Sequence, residues 1–269
     1  MKRTTIWILS ILIFIFFAAG CAGQPDKPAE PYRVLFIGDS TTSRNDIPGK
    51  FARLAELGGH EVIVASSTRD YTSLATHFRL PQTTGKLESE DWDVVILQEN
   101  EAILLNPESR QQYTVPMIEK YIELVDGMKG VILLYSSIGF RDGLVDFEEF
   151  KNLDSYDSSQ DAVDTAYLEI GNQLELPIAP VGAVWRQVYD TGPAFDLWQL
   201  DGFHVSPEGA YLAACVFYTV IYNQSPLDLP ISDEFGIDPA AIELIHQIVS
   251  DVVFDNQEQY RLPLFGPLN

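Results

Sequence analysis

Two short polar stretches near opposite ends of the chain contain the residue types that serine-dependent acyl transfer requires. The first is FIGDSTT, residues 36–42, in which Ser40 follows an apolar run. The second is DGFHVSPEG, residues 201–209, in which Asp201 precedes His204 by three positions. Such chemistry needs an exposed hydroxyl, a base that takes its proton and a group that orients the base. Alone, the first stretch is equally typical of a plain turn, and the second of a capping acid beside an unrelated histidine.

The other histidines fit this chemistry less well. His60 falls in a turn between a helix and a strand, and we interpret it as a surface residue. His77 and His246 fall in helical patterns, and we interpret both as structural. We interpret Asp39 as a cap or brace of the turn. No cluster of His and Cys has the spacing of metal ligands, so a structural zinc ion is not expected. Serine-dependent acyl transfer itself implies no metal ion and no organic cofactor.

Short apolar runs that alternate with amphipathic runs must position these residues. Five apolar runs predict strands, at 33–37, 61–65, 92–97, 130–135 and 177–181. Helical periodicity predicts helices over 47–57, 115–125, 161–174, 207–222 and 239–253. Continuously apolar strands separated by helices indicate a parallel sheet buried on both faces. The sequence therefore predicts an α/β fold, a three-layer α/β/α sandwich with a doubly wound, mainly parallel five-stranded sheet.

The two polar stretches together resemble the Gly-Asp-Ser and Asp-x-x-His blocks of the SGNH, or GDSL-type, hydrolase superfamily. In that family the first block follows the first strand and the second precedes the last helices. The resemblance covers residues 32–225, and the runs WDVVILQEN and PVGAVW resemble a subgroup of uncharacterised bacterial members. It implies that Ser40 is the nucleophile, that His204 is the general base and then the general acid, and that Asp201 orients His204.

The resemblance also implies an oxyanion hole, from which this sequence departs in part. The backbone N–H of Ser40 would be one donor, and the side-chain amide of Asn100 would be another. The family's usual Gly-x-Asn-Asp reads Gln-Glu-Asn-Glu at 98–101. Because Gln and Asn carry the same amide group, Gln98 is the alternative donor.

Two loops are predicted to border the site. The loop at residues 68–74 departs from the sequence pattern of the family, and the loop at residues 136–160 lies outside the family's motifs. The glycine expected after the second strand is absent from TRDYTSL, residues 68–74. A backbone N–H of Tyr71 or Thr72 would have to replace it, and a side chain there narrows the approach. The stretch 136–160 is long, polar and rich in aromatic residues, which is typical of a functional loop. We predict that it forms a flap or short helical insert beside the site.

The N-terminal segment is typical of an export signal. Lys2 and Arg3 precede an apolar run at 6–19, and small residues then lead to Cys21. This arrangement resembles a bacterial lipobox, which implies that residues 1–20 are a signal peptide and that Cys21 is lipidated. The alternative is an uncleaved anchor, although the run is short for a membrane span of about 20 residues.

The same interpretation fixes the domain organisation. Residues 21–31 are polar and rich in proline, so we expect a lipidated cysteine followed by an extended tether. Residues 32–269 would form one hydrolase domain, held outside the cytoplasm at a membrane through the lipid anchor. Cys215 lies in an apolar helical run, which predicts a buried and unreactive thiol.

The acidic composition limits the partners. The formal net charge is −22 at pH 7, and such a field repels phosphate backbones, so nucleic acid is not expected as a partner. The acidic residues are scattered along the chain, which indicates a solvated surface rather than a site for cationic substrates.

These observations predict an extracytoplasmic, lipid-anchored serine esterase that removes a short acyl group, such as acetyl, from a carbohydrate. The acetylated carbohydrate follows from family analogy alone, and a lysophospholipid or another lipid ester is the alternative substrate. A different class also stays open, a surface-binding lipoprotein without catalysis on the same scaffold. The altered second and third blocks motivate that alternative, and the intact serine, histidine and aspartate speak against it.

Overall fold

Five parallel strands form one sheet in the computed structural model, which describes residues 30–262. The strands are β1 (Tyr32–Gly38), β2 (Val62–Thr68), β3 (Val94–Leu97), β4 (Val131–Tyr135) and β5 (Ile178–Ala179). Their order across the sheet is β2-β1-β3-β4-β5. Each predicted apolar run overlaps one of these strands, and the predicted five-stranded parallel sheet is confirmed.

Helices of the described residues cover both faces of the sheet. They are α1 (Ser40–Ser43), α2 (Ile47–Leu57), α3 (Leu74–His77), α4 (Pro81–Leu87), α5 (Glu101–Leu104), α6 (Pro107–Ser109), α7 (Val115–Asp126), α8 (Tyr156–Leu174), α9 (Val181–Asp190), α10 (Pro207–Tyr222) and α11 (Pro239–Asp255). A π-helical turn, Arg110–Thr114, joins α6 to α7. Short 3-10 turns lie at Arg44–Asp46, Glu148–Phe150, Pro226–Asp228 and Asp233–Phe235.

Alternate side chains of β1 enter two separate cores. Val34 and Phe36 pack with residues of α2, α9, α10 and α11 on one face. Leu35 and Ile37 pack with residues of α7 and α8 on the other. Apolar side chains on both faces of a parallel strand require helices on both sides, so the predicted three-layer sandwich is confirmed.

The order of the strands reverses between β1 and β3, with β2 on one side and β4 on the other. Open α/β sheets bind ligands in the crevice that forms at such a point, beyond the carboxyl ends of the strands. Ile37 of β1 pairs with Leu97 of β3. The polar residues that follow these two strands are therefore side by side.

Helix α10 anchors the segment that carries His204. Every residue of α10 from Gly209 to Tyr222 is buried. Ser206 caps the helix, because its side chain accepts a hydrogen bond from Gly209 N at 2.9 Å. The loop before α10 thus ends on one of the most deeply packed elements of the domain.

Several predictions concern residues outside 30–262, namely the signal peptide, the lipidated Cys21 and nearly all of the tether. Within residues 30–262 no helix combines the length and the apolar character needed to cross a membrane. Cys215 is buried and unpaired, as expected. Burial raises the pKa of its thiol far above the usual range.

Candidate active site

The turn after β1 places Ser40 at the first position of α1, where it is only 2% exposed. Asp39 caps the helix, and its Oδ1 accepts a hydrogen bond from Thr41 N at 3.0 Å. The chain therefore leaves the strand and enters a helix within two residues. Among the hydrogen bonds of residues 30–262, none occupies the backbone N–H of Ser40. That group is available as a donor.

Gly38 is required by the close approach of the neighbouring loop. A Cβ atom at this position would lie 2.4 Å from Thr42 Oγ1 and 2.5 Å from Gln98 Oε1. Gln98 Oε1 accepts hydrogen bonds from Asp39 N at 2.8 Å and from Thr42 Oγ1 at 3.0 Å. The loop after β3 thus packs directly on the backbone that positions Ser40.

The second predicted stretch brings Asp201 onto the ring of His204. His204 Nδ1 lies 2.7 Å from Asp201 Oδ2, and Asp201 Oδ1 accepts hydrogen bonds from the backbone N–H groups of Phe203 and His204, both at 3.0 Å. Gly202 has a φ of 67°, a left-handed conformation that glycine adopts without steric cost. Partial burial opposes ionisation of Asp201, but the hydrogen bonds from His204 and Phe203 outweigh it and lower its pKa to about 2.

The remaining nitrogen of the ring, His204 Nε2, is buried and has no hydrogen-bond partner among residues 30–262. In particular, the described hydrogen bonds do not include one to Ser40 Oγ. Unliganded sites often show long catalytic contacts that shorten when substrate binds. The two loops are nevertheless joined, because Asn45 Nδ2, in the turn after α1, donates to Val205 O at 2.8 Å. The fold thus brings the segments of Ser40 and His204 together.

The two candidate amides after β3 differ in how their N–H groups are used. Gln98 is fully buried, and its Nε2 donates to Glu99 O at 2.6 Å and to Glu101 Oε1 at 3.4 Å. Asn100 Nδ2 donates to Asp39 Oδ2 at 2.9 Å, and no second described bond uses it. An amide nitrogen carries two donors. Asn100 therefore keeps a free N–H, whereas both N–H groups of Gln98 are engaged inside the protein.

Two buried glutamates flank Asn100, and sequence reasoning did not single them out. Glu101 Oε1 accepts hydrogen bonds from Ser137 Oγ at 3.2 Å and Thr41 Oγ1 at 3.3 Å. Burial, and secondly the charge of Asp39, raise the pKa of Glu101 well above its usual range. Burial likewise raises the pKa of Glu99 to about 6. The one available signal was that Glu99 and Glu101 follow closely after a strand that is apolar throughout.

A cavity of about 500 Å³ adjoins these residues. Asn100, Glu101 and Asp201 contribute to its lining at the side of the candidate site. The rest of the wall is largely apolar and contains five aromatic side chains, from Tyr71, Phe140, Phe147, Phe150 and Phe203. This volume lies within the range of small-molecule binding sites, about 300–1,000 Å³.

The stretch 136–160 lies beside the site, as predicted from the sequence. Arg141 N donates to Gly202 O at 2.9 Å, and the ring of Phe140 stacks on Phe203 with centroids 5.2 Å apart. Trp198 Nε1, on the chain before Asp201, donates to Gly139 O at 3.1 Å. The insert is therefore bonded to the loop that carries Asp201 and His204.

The described hydrogen bonds of His77 and His246 do not involve Ser40, Asp201 or His204. His77 is buried, with Nε2 at 2.9 Å from Gly38 O, and His246 Nε2 lies 2.6 Å from Tyr211 OH. A second hollow, of about 750 Å³ at residues 189–198, contains none of the predicted site residues. Within 30–262 no group of three or more His, Cys, Asp and Glu side chains is arranged to hold a metal ion.

No protein-family model matches the sequence, and no curated protein matches it. Solved structures do match the fold. A DUF4886 family protein from Bacteroides uniformis is 19% identical, covers 84% of this chain and 95% of its own, and superposes with a TM-score of 0.73. A protein from Slackia heliotrinireducens, assigned to the SGNH hydrolases, is 26% identical, covers 70% and 97%, and has a TM-score of 0.57.

An acetyl xylan esterase is a more distant structural neighbour. It is 10% identical, covers 70% of this chain and 99% of its own, and has a TM-score of 0.52. At this identity the likeness concerns the fold alone. The neighbours thus share the α/β sandwich that carries Ser40 after β1 and His204 before α10 in this chain.

Proposed function

Because this chain belongs to the SGNH hydrolase superfamily, we propose that it is a serine esterase that uses Ser40, His204 and Asp201. One observation carries the proposal. His204 Nδ1 is held by the ionised Asp201 at 2.7 Å, while Nε2 is buried and has no hydrogen-bond partner in the described part of the chain. An imidazole held in this way has one nitrogen free to accept a proton.

The reaction would proceed in two halves. His204 Nε2 takes the proton of Ser40 Oγ as the oxygen attacks the ester carbonyl, and the negative charge develops on the carbonyl oxygen. The N–H of Ser40 and the free N–H of Asn100 are the donors available to that oxygen. His204 then protonates the departing alcohol, and a water molecule, deprotonated by His204, releases the acid and restores Ser40.

The substrate proposed from sequence, a short acyl group on a carbohydrate, rests on family analogy. The cavity beside Asn100 supports the alternative, an ester with a larger apolar group such as a lipid ester, because five aromatic side chains line it. Attachment to a membrane through Cys21, outside the cytoplasm, is likewise our proposal and rests on the N-terminal sequence.

Hydrolysis of p-nitrophenyl acetate, butyrate and octanoate by the purified protein tests the function. We expect Ser40→Ala and His204→Ala each to lower kcat by at least about 10³-fold. Ser43→Ala, in the same short helix, is the matched control and should keep its activity. A fluorophosphonate should label the wild type and spare Ser40→Ala.

Two results would contradict the proposal. Hydrolysis that is unchanged in Ser40→Ala and His204→Ala would exclude this triad. A folded wild type that neither hydrolyses the esters nor reacts with the fluorophosphonate would favour the surface-binding lipoprotein without catalysis.

A further inference from the structure

Tyr71 adopts a backbone conformation that bulky residues rarely take. Its φ is 55°, in the left-handed region, and it is the only aromatic residue with positive φ within 30–262. Such conformations cost free energy and persist where the surrounding structure enforces them, often at functional sites. Tyr71 also stands in the segment where the second-block glycine was expected, so a side chain occupies a backbone position suited to glycine.

The loop around Tyr71 is held in place on both sides. Arg69 N donates to Gly38 O at 3.2 Å, directly before the turn of Ser40. Asp70 pairs with Arg44 at 2.8 Å, and Thr72 Oγ1 donates to Asp70 O at 3.1 Å. The left-handed turn is therefore fixed to the strand end that presents the nucleophile.

Despite this fixed backbone, Tyr71 is 78% exposed, and it lines the aromatic cavity. Phe147 of the insert lines the same cavity and is 59% exposed. Phe140, in contrast, is buried against Phe203. The cavity thus has a buried aromatic wall and two exposed aromatic residues, one from each of two loops.

The position of the cavity indicates which part of an ester it receives. The alcohol oxygen must lie beside His204 Nε2, which protonates it as it departs. Neither His204 nor Ser40 is part of the cavity wall, although Asp201 and Phe203 are. Asn100, the amide donor for the carbonyl oxygen, is part of that wall. A chain on the acyl side of the carbonyl would reach the cavity past Asn100.

We propose that the aromatic cavity holds the acyl chain of the ester and that Tyr71 determines which acyl chains are accepted, with medium-length alkyl or aromatic acyl groups preferred over acetyl. The inference rests on the proposed esterase function. An acetyl group would leave the aromatic walls uncovered, whereas a longer apolar chain gains contact with them.

Variants at position 71 separate the effect of the ring from that of the backbone. Tyr71→Asn and Tyr71→Gly remove the ring and tolerate the left-handed conformation, while Tyr71→Phe keeps the ring. The readout is the ratio of kcat/KM for p-nitrophenyl octanoate to that for p-nitrophenyl acetate. We expect this ratio to fall about five- to tenfold in Tyr71→Asn and Tyr71→Gly and to stay within about twofold in Tyr71→Phe.

Tyr113 is a suitable control, because it is an exposed tyrosine outside the cavity wall. Tyr113→Ala should leave the ratio unchanged. A ratio that stays constant in Tyr71→Asn and Tyr71→Gly, or that falls equally in Tyr113→Ala, would overturn the proposal. The proposal would also be overturned if the Tyr71 variants changed the preference among acetate esters of different alcohols but left the preference among acyl chains unchanged.

A binding measurement keeps this inference separate from the proposed function. Titration calorimetry of Ser40→Ala with octanoate should detect binding that is about fivefold weaker in Ser40→Ala/Tyr71→Asn. If the wild type hydrolyses no ester but this difference is found, the esterase proposal fails and the assignment of the cavity stands. If Ser40→Ala does not bind octanoate, the assignment of the cavity fails, whatever the activity of the wild type.

Discussion

The side-chain amide of Asn100 donates a hydrogen bond to Asp39 Oδ2 across 2.9 Å. This bond links the loop after β3 to the residue that precedes Ser40. Asn100 Oδ1 in turn accepts a hydrogen bond from Ala102 N at 3.2 Å. The amide is therefore fixed at its oxygen and at one N–H, and its orientation does not depend on bound substrate.

Replacement of Asn100 tests its assignment to the oxyanion hole. In Asn100→Ala we expect kcat to fall about 10²–10³-fold with little change in KM, because a lost donor acts on the transition state. Asn106→Ala is the matched control, since Asn106 also caps a short helix of this region. Equal losses in both variants would instead indicate a capping effect.

Substitution of Gly38 tests the close packing behind the nucleophile. Gly38→Ala places a Cβ atom 2.4 Å from Thr42 Oγ1 and 2.5 Å from Gln98 Oε1, and we expect a loss of about 1–3 kcal/mol in the free energy of unfolding. In Gly85→Ala the new Cβ meets no atom within 4 Å, and the residue lies inside helix α4. This control should raise the free energy of unfolding by about 0.4–1 kcal/mol. Urea denaturation of both variants measures the contrast.

The ionised state of Asp201 gives stability with a defined dependence on pH. Its pKa in the folded protein, about 2, lies below the ordinary value of 3.8. The contribution is therefore complete above pH 3.8 and is lost as the pH falls through about 2. We expect the difference in urea midpoint between wild type and Asp201→Asn to be larger at pH 5 than at pH 3. A difference that grows on acidification would contradict the assignment of Asp201 as an ionised hydrogen-bond partner of His204.

The same variant has a kinetic signature. The amide nitrogen of Asn at position 201 cannot accept a hydrogen bond from His204 Nδ1–H. The ring therefore loses the acceptor that orients it. We expect kcat to fall by about 10⁴-fold in Asp201→Asn while the variant stays folded at neutral pH. If circular dichroism at pH 7 showed that Asp201→Asn is largely unfolded, the loss of activity would be due to unfolding rather than to a misoriented ring, and this prediction would be wrong.

Glu101 should make the protein more stable in mild acid than in base. Because its folded pKa is raised above the ordinary 4.5, the folded state keeps a proton that the unfolded chain releases. Stability from this group is complete below pH 4.5 and falls as the pH rises, by up to about 1.4 kcal/mol per pH unit for one proton. Glu101→Gln retains a neutral side chain at every pH and should unfold at higher urea than wild type at pH 8. Glu119→Gln, on the exposed side of α7, should show no such gain.

Much of the sheet could be predicted, because buried parallel strands are apolar runs. The prediction ended β2 at residue 65, whereas the strand continues to Thr68. Those last residues are polar, and Ser67 is satisfied inside the protein by a 2.8 Å hydrogen bond with Thr83. Helices α3 and α4, between β2 and β3, were missed, since elements of four and seven residues are too short to show helical periodicity.

The residues of the site could be predicted from the sequence only where the chemistry requires one particular residue type. The spacing of Asp201 and His204 indicated their contact, and the structure places them 2.7 Å apart. Asn100 and Gln98 carry the same amide, so only the buried contacts of Gln98 distinguish them. The burial of Glu101 and the raised pKa of its carboxyl could not be predicted, because sequence patterns assign glutamate to solvent.

Arg141 N donates a hydrogen bond to Gly202 O, and the rings of Phe140 and Phe203 stack. These contacts mean that an exchange of the insert also affects the loop that carries His204. The segment that shapes the cavity and the loop that holds the proton-transfer pair form one unit, although 59 residues separate Gly139 from its partner Trp198. A graft of a foreign insert at 136–160 alone would shift the imidazole as well as the cavity. Recombinants should therefore keep more activity when both segments come from the same parent than when only one of them is exchanged.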